Sequence, residues 1–82
     1  MLYELIFKIE DQYNDECLEV FKNIEHFLAC YSEATDTNAT PDDGYKTYYV
    51  RFKELAFGNA FMACMYRKFY SAFIVYDFRV IE

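Results

Sequence analysis

Tryptophan is absent, proline occurs once and glycine twice, and the glycine shortage removes a class of function. Gly44 and Gly58 alone cannot build a phosphate-cradling loop, and no P-loop, dinucleotide or serine-hydrolase signature is present. Cys17, Cys30 and Cys64 are odd in number and widely spaced. Without a Cys-x-x-Cys, neither a zinc ribbon nor a dithiol redox motif is supported. No apolar run reaches the roughly 20 residues that a bilayer span requires, and the longest, Ala60–Tyr66, is followed at once by Arg67 and Lys68. Met1-Leu2-Tyr3-Glu4 does not have the basic-then-apolar pattern of an export signal. The expectation is a cytoplasmic protein with reduced, mostly packed thiols and no membrane association.

Cations are scarce where anions crowd. Residues 1–44 carry eleven carboxylates and only Lys8 and Lys22 against them, a net of −9. Residues 45–82 carry Lys46, Arg51, Lys53, Arg67, Lys68 and Arg79 against Glu54, Asp77 and Glu82, a net of +3. Crowded like charges repel and reduce stability, so an acidic half of this kind points to a charged partner.

Aromatics are abundant. Nine Phe and nine Tyr in 82 residues exceed what one small core hides, since each can bury about 150–250 Å². Some are expected at the surface, where tyrosine suits a contact site because its ring packs while its hydroxyl stays wet.

The apolar pattern predicts a single domain over residues 1–82. Leu2–Ile9 alternates, with Tyr3, Leu5, Phe7 and Ile9 on one face and Glu4 and Lys8 on the other, which reads as a half-buried strand. Leu18, Phe21, Ile24, Phe27, Leu28 and Tyr31 recur at three and four, which predicts a helix over Asp15–Ser32, with Asn14 as N-cap and Asp15 and Glu16 at its positive end. Glu33–Gly44 has loop chemistry, including Pro41-Asp42-Asp43-Gly44. Tyr45–Lys53 reads as a strand with Tyr48, Val50 and Phe52 on one side. Ala72–Ile81 reads as another, with Ile74, Tyr76, Phe78 and Val80 alternating against Val75, Asp77 and Arg79.

Leu55–Tyr70 fits two forms. A helix places Phe61, Met62, Met65, Tyr66 and Phe69 together and Ala56, Ala60, Ala63 and Arg67 opposite, with Asn59 able to cap it; a hairpin would turn at Gly58-Asn59. Period and helix-forming Ala and Met favour the helix. The expected fold is a small two-layer α+β sandwich, β-α-β-α-β, with one or two helices on a three-stranded sheet. The hairpin form would give β-α-β-β-β, one helix on an antiparallel sheet.

Three chemistries can be weighed and set aside. His26 and Cys30, four apart, would share a helix side, as two metal ligands to which Cys17 or Cys64 would add a third, or as a Cys–His nucleophile pair. A structural zinc site uses a tight cysteine pair that is missing here, and no orienting acid or oxyanion loop accompanies the histidine. Asp36 to Asp42 alternates oxygen side chains as a calcium loop does, but Pro41 stands where the sharp turn needs glycine and Thr47 where a bidentate glutamate belongs. Asn38-Ala39-Thr40 matches a glycosylation sequon, which without export is empty. No metal, cofactor or catalytic residue is expected.

Clustered carboxylates remain. Carboxylates one helical turn apart lie about 5–6 Å from each other, a spacing comparable to phosphates along a nucleic-acid strand. The expected function is therefore a non-enzymatic protein that occludes a basic, nucleic-acid-binding surface of a partner protein. Asp15, Glu16, Glu19, Asp42 and Asp43 would mimic phosphates, with Tyr13 and Tyr45 beside them. Acidic inhibitors of defence nucleases, of the anti-CRISPR or antirestriction kind, are the functional class that acts this way. Direct nucleic-acid binding by the basic half is not expected, because the acidic half would oppose it. The alternative is a homo-oligomeric accessory protein, with Phe73, Val75 and Tyr49 on the sheet's other face burying against a second copy.

Overall fold

A computed structural model describes residues 1–33 and 44–81 of the chain. Phe7 is the hub of the core, with its ring centroid 4.9 Å from Phe73, 5.7 Å from Tyr48, 5.8 Å from Phe61 and 6.3 Å from Phe21. These partners come from every layer of the fold. Strand β1 (Tyr3–Glu10) supplies Phe7, with Leu5 and Ile9 on the same side; all three are fully buried, as the alternation of Leu2–Ile9 requires. Helix α1 (Asn14–Asn23) contributes Cys17 and Phe21. Strand β3 (Tyr45–Phe52) contributes Tyr48, Val50 and Phe52, the face expected of it.

Leu55–Phe69 is a helix, α2, which settles the ambiguous segment in favour of period over turn chemistry. It buries Phe61, Met65 and Phe69 at four-residue intervals and leaves Ala56, Ala60, Ala63 and Arg67 exposed. Asn59 lies inside it and caps nothing. Gly58 is where α2 touches the sheet: a Cβ built there would stand 2.2 Å from Cζ of Phe78. Only a residue without a side chain permits that approach.

Among the described residues four strands form one sheet in the order β2 (Leu28–Glu33), β3, β1, β4 (Phe73–Val80), every neighbouring pair antiparallel. The fourth strand replaces the second half of the expected helix. Helix α1 stops at Asn23, a single 3-10 turn spans Glu25–Phe27, and Leu28–Glu33 is strand β2 at the sheet edge. The misleading signal has a physical origin. The register shifts between Leu28 and Cys30, so Ala29 is an extra residue in the ladder, and Leu28 and Tyr31, three apart, both face the helices. Leu28 pairs with buried Phe52, and Tyr31 stacks on Phe21 with centroids 4.4 Å apart. A bulged strand thus satisfies a spacing that reads as helical.

A second bulge corrects the expected faces of β4 (Phe73–Val80). Ile6 pairs with Asp77 and Phe7 with Val75, so Tyr76 is the extra residue. Phe73 and Val75 therefore point to the core together with Phe78, while Ile74 shares a face with Lys8. Phe73 and Val75 are not on the uncovered face where self-association would have used them. The element order β-α-β-β-α-β, with β3 between β1 and β2 and β1 between β3 and β4, is the split β-α-β or ferredoxin-like connectivity. Because both helices bury into the same cluster, the other face of the sheet is left bare among the described residues.

Candidate partner-binding surface

Helix α1 is positioned by two anchors that point inward. Cys17 and Phe21 enter the core, and the burial of Cys17 pushes its thiol up to about 12 from 9.0. At the start of the helix, Tyr48 donates a hydrogen bond from its hydroxyl to Oδ1 of Asn14. Asn14 is thus engaged as the first helical residue, not as the N-cap; Tyr13 holds the capping position and offers no side-chain bond to the helix. Burial, with the Glu33 charge adding to it, raises Tyr48 to about 12 as well.

With that face fixed inward, Asp15, Glu16 and Glu19 turn outward and are exposed. Together with Leu18 and Lys22 they line one shallow open depression. Lys22 Nζ lies 3.5 Å from Oε1 of Glu19, but both side chains are about two-thirds exposed, so this pair contributes little. Asp15 and Glu16 sit in the first turn, where the helix dipole favours them. Among the described residues neither makes an ion pair.

Three of the six cations of the trailing half, Lys46, Arg51 and Arg79, are engaged elsewhere. Glu4, 7% exposed, lies in the middle of the bare sheet face and is held by Nε of Arg51 at 3.2 Å and Nη2 of Arg79 at 3.4 Å. Strand register causes this: Glu4 stands directly opposite Arg51 on β3 and Arg79 on β4. Lys46 pairs with Glu33 at 3.3 Å. So Glu4 and Glu33 are neutralised by the basic half, whereas the α1 acids are not.

The remaining expected site residues scatter. Tyr13 packs inward, its ring 5.6 Å from Phe69 at the end of α2. Tyr45 stands across the sheet from α1, on the bare face, with Lys8 Nζ 4.3 Å from its ring centroid. Its parity could have been read from the chain, since Tyr48, Val50 and Phe52 face in and position 45 must face out. Asp42 and Asp43 lie outside the described residues, as do the calcium-like stretch from Asp36 to Asp42 and the Asn38 sequon. Glu25, exposed in the turn that follows α1, extends the acidic surface.

His26 and Cys30 are not brought together on a helix, because one lies in the 3-10 turn and the other in β2. Among the described residues no group of three or more His, Cys, Asp or Glu could hold a metal ion, and no helix is long and apolar enough to cross a membrane. No family model, curated protein or solved structure matches the chain.

Proposed function

We propose that this protein is a small non-enzymatic binding protein that occludes a basic, nucleic-acid-binding surface of another protein, in the manner of anti-CRISPR or antirestriction inhibitors. The acids of α1 stand in for phosphates. What supports the reading is the exposed set Asp15, Glu16 and Glu19, whose one ion pair among the described residues is that of Glu19 with Lys22, while Arg51, Arg79 and Lys46 are committed to Glu4 and Glu33. Such a set keeps most of its charge for a partner. Glu16 and Glu19 lie about one turn apart, near the repeat of a phosphate chain, and long-range attraction would speed the encounter.

The test is capture from cell extract on the immobilised protein, eluted by rising salt. Partners released by salt should be proteins with basic surfaces. Glu16→Lys combined with Glu19→Lys should weaken their binding at least about tenfold, while circular dichroism stays unchanged because both positions are exposed. Equal capture by the folded double variant refutes the assignment. A homodimer that persists at low and high salt, with no salt-released partner, favours self-association instead.

A further inference from the structure

The two helices leave a gap where they face each other. A half-open cavity of about 190 Å³ lies there, floored by Phe52 and Phe61, walled on the α1 side by Val20 and Ile24 and on the α2 side by Ala60 and Cys64. Phe27 and Phe57, their centroids 4.6 Å apart, close one end. The helices run antiparallel past it: Phe27, just after α1, meets Phe57 in the first turn of α2, and Tyr13, just before α1, meets Phe69 in its last. The Cys64 thiol is the one polar side-chain group in the lining.

A cavity lined in this way offers water few hydrogen bonds and gains from one hydrocarbon group; an enclosed apolar cavity of about 150 Å³ takes benzene. This volume suits one large side chain. Charge then selects what carries it. Glu16 stands one turn before Val20 on the same row of α1, Glu19 immediately precedes Val20, and Glu25 follows Ile24, all three exposed. On the α2 side the flanking cations are Arg67 and Lys68, three and four residues beyond Cys64, two against those three acids. A second copy of the chain, with its net charge of −6, would set acids against acids. A free hydrocarbon would fill the cavity and leave the acids unused. A basic segment with an apolar residue in it satisfies both.

Building on the occlusion reading, we propose that the interhelical cavity is the anchor pocket for a single Phe-, Leu- or Met-like side chain borne on a Lys- and Arg-rich segment of the partner. Buried anchors of this kind, surrounded by weaker polar contacts, carry most of the affinity of protein interfaces. The acidic helix would set encounter rate and salt dependence, and the pocket would set residence time.

Two synthetic peptides test this on the full chain. One has a central Phe flanked on both sides by lysines and arginines; the other has Ala in place of the Phe. The Phe peptide should bind about tenfold more tightly or better, and should shift the methyl resonances of Val20 and Ile24. Ala60→Phe, which fills the cavity from an exposed helical position, should erase that advantage and leave the salt-dependent binding of both peptides. Cys64→Met fills the same space from a second position if Ala60→Phe does not fold. Equal, salt-dependent affinities for the two peptides overturn the pocket and leave the acidic surface standing. A Phe advantage without salt dependence overturns the basic carrier and with it the occlusion reading. Binding of neither peptide overturns both.

Discussion

Gly58→Ala should destabilise the protein although it replaces a glycine within a helix by the best helix former. Helix propensity alone would give a gain of about 1 kcal/mol. Against it, the new Cβ would sit 2.2, 2.8 and 3.1 Å from Cζ, Cε1 and Cε2 of Phe78. Carbon atoms prefer roughly 3.5–4.0 Å, so the ring or the helix must retreat by more than about 1 Å. The ring is flanked by Tyr3 at 6.3 Å and Phe52 at 6.4 Å between centroids, and its movement must disturb both contacts. Overpacking of this kind costs about 1–3 kcal/mol, sometimes more. The net expectation is a loss of up to about 2 kcal/mol, seen as a fall in Tm of roughly 4–8 °C per kcal/mol for a domain of this size.

The decisive control is the same substitution in a Phe78→Leu background. Leucine has none of the three clashing atoms, so there Gly58→Ala should change sign and stabilise by roughly 0.5–1 kcal/mol. Denaturant titration of the four proteins gives all the terms. If residues 55–70 formed a hairpin turning at Gly58-Asn59, alanine would cost the same whatever stood at position 78. An equal cost in both backgrounds, or a gain in the wild-type background, refutes the seating of α2 on β4.

Tyr70 ends α2 with φ 51° and ψ −129°, a conformation that L-residues avoid and glycine accepts, and its side chain is 76% exposed. Tyr70→Gly should therefore stabilise by about 1 kcal/mol, measured by thermal and denaturant unfolding; a clear loss would show that the side chain holds the helix end. Cys17 and Tyr48 are buried in neutral form, with both groups raised to about 12, from 9.0 and 10.0. Because the folded values are the higher ones, the unfolded chain loses these protons first. Stability should hold up to about pH 9 and then fall, by roughly 2–3 kcal/mol at about pH 10.5. Denaturant titrations across that range check it, and a flat profile contradicts the burial of both groups.

How much of this was legible in the chain depended on whether a face is set by strict period. Strands β1 and β3 alternate without interruption, and their buried residues follow directly. Helix α2 was recoverable because Phe61, Met65 and Phe69 repeat at four. Bulges defeated the rest: an extra Ala29 gave β2 a helical spacing, and an extra Tyr76 exchanged the faces of β4. Nothing local marks a bulge, since it is fixed by the partner strand. The exposure of Asp15, Glu16 and Glu19 was readable, because Cys17 and Phe21 leave them no inward direction. The pairing of Glu4 with Arg51 and Arg79 was not, because it depends on a register joining residues 47 and 75 positions apart. The cavity between the helices was equally hidden, since it is a mismatch of two surfaces and not a property of either.

The most direct test of occlusion is competition. A protein captured from extract by its salt-labile attachment should be titrated with labelled nucleic acid in the presence and absence of this chain. The account predicts mutually exclusive binding, with nucleic acid displaced by the wild-type chain and not by the Glu16→Lys, Glu19→Lys variant. A ternary complex holding partner, nucleic acid and this protein together would contradict it.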